Sequence, residues 1–348
     1  MPRTTCVANS TCVTTCAART MSPLRRVVLH AGAALAVGVA AGGAAAQTGF
    51  PSRPLRIVVP FPPGGPVDAL ARSIAQGLTA SLGQNVVVEN KAGGNSVIGS
   101  DAVAKSAADG YTLLVNAGNL VINQHLLRTP YDLERDFAPV ALLAKGALIV
   151  CVTPELPAKT FAELVAQAKA QPGKLNFAIG SVGSAGHIAT ELLKRRTGAD
   201  LFVIPYKGSA PAYVDLMSGQ IQGFVEPALG AMPHVKGGKI RALAVTSSRR
   251  IAALADVPTV AESGVAGAQG FEFYSWYGMW APGGTPPEVV ARLNAEVNRV
   301  LAGAELKERL AAQGFDTQNA SPEAFALFVR EDYQSVGQII RDARIRAE

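Results

Sequence analysis

Short apolar runs, glycine-rich turns and amphipathic segments follow one another in a repeated order, and this order constrains the fold more than any other feature. Arg56–Phe61 is an apolar run typical of a buried strand, Pro62–Pro66 is a turn, and helical spacing extends from Val67 to about Leu82. Apolar runs return at Val86–Asn90 and Thr112–Asn116. Strands that alternate with helices predict an α/β fold with a mainly parallel sheet.

The same order restarts after a long apolar run at Val140–Val152, which we interpret as one strand that passes between two domains. Further strands are predicted at Asn176–Ile179, Leu201–Pro205, Gln222–Glu226, Arg241–Thr246 and Tyr274–Ala281. Helices are predicted from about Phe161 to Ala170, after the Gly/Ser loop to about Thr197, and from about Ala210 to Ser218. Later helices are predicted to begin at Pro286, near Ala304 and at Pro322, where Ser321 is a candidate N-cap. Two α/β lobes that share crossings near residue 147 and within 264–270 predict a hinged, clamshell-like protein.

Residues 1–46 have the pattern of a secretory signal peptide. Arg25 and Arg26 supply a positive start, Val27–Ala41 supplies a short apolar segment, and Ala44–Ala46 supplies a small-residue cleavage site. A membrane anchor is the alternative, but alanine and glycine dominate the segment and make it too weakly apolar to span a bilayer well. We therefore expect cleavage after Ala46. We also expect translation to start at Met21, because a complete signal peptide begins there.

The basic character of the chain is concentrated in this leader. The whole chain has 32 basic and 26 acidic residues and a net charge of +6, whereas 28 basic and 26 acidic residues remain beyond residue 46. A near-neutral mature protein gives no support for nucleic-acid binding. Of the four cysteines only Cys151 lies beyond the leader, so the mature chain cannot form an internal disulfide.

Four loops that follow predicted strands contain residues suited to binding an anion. They are Pro62–Asp68, Lys91–Ser96, Gly180–His187 and Pro205–Ser209. Glycines allow a close approach of the backbone to a ligand, and a helix that follows the loop presents free N–H groups to negative charge. A tight turn without a ligand is the alternative for the first loop, and a surface Lys207 with a core Tyr206 is the alternative for the fourth. Neither a dinucleotide-binding motif nor a P-loop fits, because residue 182 is valine and no lysine follows the glycines.

Ser184 and His187 raise the alternative of a secreted serine hydrolase. A Gly-x-Ser-x-Gly nucleophile motif would need glycine at both 182 and 186, and only Gly186 is present. No acidic residue is placed to orient His187, so a binding or capping serine is favoured over a catalytic one. The scattered histidines His125, His187 and His234 give no metal-ligand spacing, and we expect neither a metal nor a cofactor.

Several segments together resemble one family over nearly all of the chain beyond the leader. They are Pro51–Asp68, Val88–Gly94, Asp101–Lys105, Ala108–Leu114, Pro205–Ala212, Asp215–Gln220, Lys239–Thr246, Asp256–Glu262 and Ala281–Pro287. In this order they are similar to the Bug receptors, the extracytoplasmic solute receptors of the tripartite tricarboxylate transporter family.

The resemblance implies an α/β protein of the two-lobed periplasmic-binding-protein type, a type II Venus flytrap with a hinge. Residues 47–147 and 272–348 are expected to form lobe 1, and residues 148–271 are expected to form lobe 2. The implied function is that of a monomeric, non-catalytic receptor in the periplasm, which captures a small carboxylate and delivers it to the membrane permease subunits of a tripartite transporter. A solute sensor that feeds a two-component signalling system is a further alternative.

The resemblance also implies which residues contact the ligand. In lobe 1 they are Phe61, Pro63, Gly64, Gly65 and Asp68. In lobe 2 they are Ser181, Gly183, Ser184 and His187, with Tyr206 nearby. Asn116 and Asn119 are further candidates for side-chain amides in lobe 1.

Two departures from the family pattern bear on the ligand. Pro62 and Pro63 stiffen the first loop and remove an N–H donor. Glu226 and Pro227 stand where an Asp-Asn or Asp-Ser pair is more usual. A carboxylate that faces the pocket at Glu226 would pair with an amine or repel a second carboxylate.

Overall fold

The computed structural model describes residues 49–346, so the predicted signal peptide, the start at Met21 and the cysteines Cys6, Cys12 and Cys16 lie outside the described residues. Within that range the strands are β1 (Leu55–Val59), β2 (Val86–Asn90), β3 (Thr112–Ala117), β4 (Phe137–Val152), β5 (Leu175–Ile179), β6 (Leu201–Pro205), β7 (Gly223–Pro227), β8 (Arg241–Val245), β9 (Tyr274–Pro282) and β10 (Phe315–Thr317). The α-helices are α1 (Pro66–Leu82), α2 (Val97–Ala104), α3 (Asn119–Leu126), α4 (Phe161–Ala170), α5 (Ala185–Thr197), α6 (Ser209–Met217), α7 (Ala228–Lys236), α8 (Pro287–Leu301), α9 (Ala304–Ala312) and α10 (Pro322–Asp342). None of these helices is long and apolar enough to cross a membrane.

Strand β4 takes part in two sheets. Its first part, residues 137–147, pairs with β9 on one side, and β10 pairs with residues 144–146 on the other. Its second part, residues 148–152, lies between β7 and β8. The strand orders are β2-β1-β3-β9-β4-β10 in the first sheet and β8-β4-β7-β5-β6 in the second. The strand predicted at Val140–Val152 is therefore confirmed, and it is apolar because helices cover both of its faces.

Each sheet has an apolar core on both faces. In the first sheet, one core includes Leu293 of α8 and the opposite core includes Trp280 and Phe325. In the second sheet, the two cores include Phe177 and Phe224. We call the first sheet with its helices lobe 1 and the second sheet with its helices lobe 2.

Side-chain caps define several of the predicted helix starts. The hydroxyl of Thr160 accepts from the N–H of Glu163 at 3.1 Å, and the hydroxyl of Ser321 accepts from the N–H of Ala324 at 3.2 Å. The sequence patterns do not predict α3, α7 or β10. Their local signals are weak, because α3 begins without a side-chain cap, α7 contains Pro233, and β10 has three residues.

The parallel strands of each lobe end at one edge of their sheet. Strands β1, β2 and β3 are parallel in lobe 1, and β5, β6 and β7 are parallel in lobe 2. The four loops selected from the sequence follow β1, β2, β5 and β6. The topology thus gathers them in two pairs, at the edges where α/β sheets bind ligands.

Candidate ligand-binding site

The first loop of lobe 1 is held in shape by Asp68. Gly64 has a φ of +85°, a conformation that glycine adopts without strain, and its N–H donates to Oδ2 of Asp68 at 2.9 Å. The side-chain amide of Asn90 donates to Oδ1 of Asp68 at 2.9 Å and to the carbonyl of Phe61 at 3.1 Å. These bonds connect the loop after β1 to the end of β2, while Pro63 and Gly64 stay exposed.

The charge of Asp68 is balanced within the protein. Its side chain is 5% exposed, and Arg72 donates to Oδ2 through Nε at 3.0 Å and lies 3.0 Å from Oδ1 through Nη2. Burial alone would raise the pKa of Asp68, but the hydrogen bonds from Arg72, Gly64 and Asn90 outweigh it and lower that pKa. Asp68 therefore positions the loop, and its oxygens are already occupied.

The two asparagines predicted in lobe 1 have different environments. Asn116 is fully buried, donates to the hydroxyl of Ser100 at 3.0 Å and accepts from the N–H of Ala117 at 2.8 Å. Asn119 is only partly buried and begins α3, where its amide donates to Oδ1 of Asn95 at 3.4 Å. Both residues lie near the carboxyl end of β3, and of the two only Asn119 keeps a partly exposed side chain there.

A reciprocal cap shapes the first loop of lobe 2. The hydroxyl of Ser184 accepts from the N–H of His187 at 3.2 Å, and Nδ1 of His187 accepts from the N–H of Gly183 at 3.1 Å. This arrangement resembles a capping box, with an imidazole in place of the usual carboxylate. Burial lowers the pKa of His187 to about 4, and the nearby charge of Lys194 adds to this effect.

The same geometry bears on the hydrolase alternative. A nucleophilic serine donates its hydroxyl proton to a ring nitrogen of the histidine base. Here Ser184 instead accepts from the backbone of His187, and the ring atom Nδ1 faces the backbone of Gly183. The arrangement is that of a helix cap.

The second loop of lobe 2 joins the first through backbone and side-chain contacts. The N–H of Gly208 donates to the carbonyl of Gly180 at 2.7 Å. The hydroxyl of Tyr206 donates to Oδ2 of Asp215 at 2.6 Å, and burial together with Asp215 raises the pKa of Tyr206 to about 12. The phenol of Tyr206 is therefore directed at α6.

Glu226 and Ser209 form the polar centre of this edge. Ser209, the first residue of α6, donates its hydroxyl to Oε1 of Glu226 at 2.6 Å. Burial raises the pKa of Glu226 to about 7, although the bond from Ser209 acts in the opposite direction. The sequence prediction includes Glu226 but not Ser209. A serine at the first position of a helix that follows a strand was the available signal.

The two lobes meet beside these loops. A Cβ atom at Gly183 would lie 2.5 Å from Cδ1 of Leu126 and 3.1 Å from Cγ2 of Ile122, so the lobe 2 loop packs directly on α3 of lobe 1. Next to this contact, a cavity of about 20 Å³, enough for about one water molecule, is lined by residues of both lobes, among them Asn119, Ala185 and Asp332. The described residues contain no cluster of His, Cys, Asp and Glu that could hold a metal ion.

Comparison with known proteins connects this geometry to a protein family. The family described as tripartite tricarboxylate transporter family receptor matches residues 70–345. The chain belongs to this receptor family. The protein BugT of Bordetella pertussis is 39% identical to this receptor over 316 residues, which cover 89% of this chain and 96% of BugT.

Solved structures of other receptors share the fold of this one. An R. palustris protein with adipate is 35% identical, with a TM-score of 0.76, and the match covers 85% of this chain and 99% of that chain. The periplasmic binding protein BugD is 34% identical, with a TM-score of 0.74, and the match covers 86% of this chain and all of that chain. The predicted fold class and the prediction of a solute-binding receptor are confirmed.

Within this receptor the predicted residues fall into two groups. The backbone of Gly64 and Gly65, the amide of Asn119 and the residues around Ser184 lie at the edges where the parallel strands end. The second group has polar atoms that already bond to other parts of the protein, and it consists of Asp68, Asn116, His187 and Tyr206.

Proposed function

We propose that this receptor binds a small organic carboxylate between its lobes and delivers it to the permease subunits of a tripartite transporter. One observation carries the proposal, namely that the loop after β5 in lobe 2 packs at Gly183 against Leu126 and Ile122 of lobe 1. Residues that follow parallel strands in both lobes therefore meet, as they do in α/β proteins that enclose a ligand. The adipate bound to the R. palustris relative supports a carboxylate as the ligand.

In this proposal the lobes hold opposite ends of the ligand. One carboxylate is received by the lobe 1 loop at Phe61, Pro63, Gly64 and Gly65. Because Asp68 already accepts from the N–H of Gly64 and prolines have no N–H, the donors in this proposal are the N–H groups of Gly65 and of the residues after Pro66 at the start of α1. The distal part of the ligand is received by the lobe 2 residues Ser181, Gly183, Ser184 and Glu226, with Asn119 opposite. A positioning role, without direct ligand contact, is assigned to Asp68, Asn116, His187 and Tyr206.

Closure of the lobes around the ligand is the signal that the permease would recognise. We assign residues 47–147 and 272–348 to lobe 1 and residues 148–271 to lobe 2, with hinges at the two crossings. A ligand that shifts an open–closed equilibrium from 1:99 to 99:1 needs about 5.5 kcal/mol of differential affinity. Two or three charge-assisted hydrogen bonds, at about 1.5–3 kcal/mol each, are sufficient.

The proposal places the mature protein in the periplasm and assigns it no catalytic role. The periplasmic relative BugD supports the location, and the capping geometry of Ser184 and His187 supports the absence of catalysis. N-terminal sequencing of the periplasmic fraction tests the location, with Gln47 expected as the first residue. An intact leader on the protein in that fraction would contradict it.

A thermal-shift screen tests the binding function. The panel contains monocarboxylates, dicarboxylates including adipate, tricarboxylates, aromatic acids and amino acids. A ligand present at about 100 times its Kd raises the free energy of unfolding by about 2.7 kcal/mol, so a true ligand produces a clear rise in Tm. The matching amides, which lack the carboxylate charge, serve as controls. The absence of stabilisation by any acid on the panel would overturn the proposal.

A further inference from the structure

Glu226 has no counter-ion among residues 49–346, although it lies at the edge of lobe 2 where the parallel strands end. The hydroxyl of Ser209 donates to Oε1, and no Lys, Arg or His among the described residues pairs with the carboxylate. Oε2 has no donor in the same part of the chain, and it is not among the fully enclosed atoms that lack a partner. Glu226 is partly buried, and Oε2 retains some accessible surface.

Three helices begin around this carboxylate. Ser209 begins α6, Gly186 lies in the first turn of α5, and Gly230 lies in the first turn of α7. A Cβ atom at Gly186 would lie 3.6 Å from Oε2, and one at Gly230 would lie 3.9 Å from Cγ of Glu226. Helix N-termini stabilise negative charge, and here the carboxylate of Glu226 is the negative group that the three helix starts surround.

A second polar group in the same place also lacks a partner. The hydroxyl of Tyr213 is fully enclosed and has no hydrogen-bond partner among residues 49–346. A Cβ atom built on Gly230 would lie 3.1 Å from this hydroxyl and 3.9 Å from Cγ of Glu226, so the two side chains are near each other. Buried polar atoms without partners are rare in folded proteins, and an enclosed water molecule would satisfy this one.

Glu226 lies at the carboxyl end of β7, beside the loops that follow β5 and β6. Its partner Ser209 lies next to the end of β5, since a Cβ atom at Gly180 would be 3.1 Å from Oγ of Ser209. In the proposed binding mode, a ligand whose carboxylate is held by lobe 1 presents its other end to this edge of lobe 2. A second carboxylate at that end would meet a like charge, whereas an ammonium group would supply the missing counter-ion.

We propose that Glu226 is a specificity-determining residue that selects a ligand with one carboxylate and a distal ammonium group, and that it discriminates against dicarboxylates. This inference rests on the proposed binding function and deepens it. Ser209 orients the carboxylate through Oε1 and leaves Oε2 as the acceptor for the ligand.

Calorimetric titration with matched ligand pairs tests the inference. Each pair has one chain length and differs in the distal group, and the pairs are γ-aminobutyrate with succinate, δ-aminovalerate with glutarate, and ε-aminocaproate with adipate. The proteins are the wild type, Glu226→Gln, Glu226→Asp and Glu308→Gln. Glu308 is an exposed residue of α9, so the last variant makes the same charge change away from the cleft.

We expect the wild type to bind the amino member of its best pair at least about tenfold more tightly than the dicarboxylate. Glu226→Gln is expected to lower this preference by about tenfold or more, while Glu226→Asp and Glu308→Gln retain it. Melting curves without ligand establish that each variant is folded. The retained charge in Glu226→Asp makes the result independent of any general effect of substitution at this position.

The outcomes distinguish a failure of the role assigned to Glu226 from a failure of the proposed carboxylate-binding function. If the wild type binds a dicarboxylate as tightly as its amino partner, or if Glu226→Gln keeps the preference, the role of Glu226 is refuted and the carboxylate receptor stands. If no carboxylate in the pairs or in the thermal-shift panel binds, the proposed function is refuted and the inference falls with it.

Discussion

The hydroxyl of Ser209 donates a 2.6 Å hydrogen bond to Oε1 of Glu226, which joins the start of α6 to the end of β7. The two residues are 17 positions apart and belong to different elements. Their contact fixes one oxygen of a carboxylate that has no counter-ion among the described residues. The ligand-binding edge of lobe 2 therefore offers negative charge, in addition to the N–H groups of its helix starts.

The pH dependence of dicarboxylate binding follows from this contact. Because burial raises the pKa of Glu226 to about 7, the carboxyl is mostly ionised at about pH 8 and mostly protonated at about pH 6. A protonated carboxyl does not repel a second carboxylate, so adipate affinity is expected to rise by about tenfold as the pH falls over this range. Calorimetry measures this rise, and the affinity of Glu226→Gln is expected to stay constant.

The other titratable groups near Glu226 are present in both proteins. Burial raises the pKa values of the neighbouring groups of Tyr213, Tyr277 and Cys151. Burial lowers the pKa of His187 to about 4, so this ring stays neutral over the same range. The ring of His234 lies 4.4 Å from that of Tyr213, and any contribution from His234 persists in Glu226→Gln. An equal pH dependence in wild type and variant would contradict the prediction.

His187 is expected to make the protein acid-sensitive. Its pKa is lowered from 6.5 to about 4 in the folded state, so the unfolded state binds more protons between these values. The stability that His187 contributes is complete above about pH 6.5 and is lost as the pH falls toward 4, by up to about 3 kcal/mol. Urea unfolding of wild type and His187→Asn measures the difference. A parallel loss in the variant would show that other groups cause the effect.

Removal of the N-cap at Ser184 separates binding from catalysis. Ser184→Ala loses the bond from the N–H of His187, which is expected to cost about 1 kcal/mol of stability and to weaken carboxylate binding. Any hydrolysis of p-nitrophenyl esters is expected to be equal in the two proteins, because Ser184 serves as a cap. A specific loss of ester hydrolysis in the variant would instead support the secreted hydrolase.

Loss of the charge at Asp68 is expected to loosen the lobe 1 loop. Asp68→Asn removes the ion pair with Arg72 and weakens the bond from Gly64, at a cost of about 1–3 kcal/mol in stability. Carboxylate affinity is expected to fall because the loop backbone is no longer held in place. Asp316→Asn is a matched control, since its pair with Arg249 is exposed and is expected to change stability by less than about 1 kcal/mol. Unchanged affinity in Asp68→Asn would contradict the positioning role.

Gly183 is expected to control closure of the lobes. Its φ is +75°, and a methyl group there would lie 2.5 Å from Cδ1 of Leu126, so Gly183→Ala introduces both backbone strain and an interlobe clash. Affinity is expected to fall by about tenfold. A double-mutant cycle with Leu126→Ala separates the backbone strain from the clash, because the double variant relieves the clash and keeps the strain. The absence of any recovery in the double variant would refute a role for this contact in closure.

The sequence by itself determines the order of strands and helices, because these depend on neighbours within a few residues. The alternation of apolar runs with helical segments, the cap at Ser321 and the long apolar strand at Val140–Val152 are all local patterns, and the structure confirms them. The four loops were also recognisable, since glycine, serine and a following helix stand next to one another in the chain. Among the α-helices and strands of the described residues, the sequence patterns miss α3, α7 and β10, whose local signals are weak.

The tertiary structure alone decides which polar groups in those loops remain available to a ligand. Asn116, Asn119, Tyr206 and Ser184 are equivalent candidates in the sequence, but packing buries Asn116 against Ser100 and directs the phenol of Tyr206 at Asp215. The contact between Ser209 and Glu226 also depends on how β7 lies beside β5 and β6. Hydrogen-bond partners from distant elements are set by the fold, because a polar side chain that is buried must be satisfied where the packing places it.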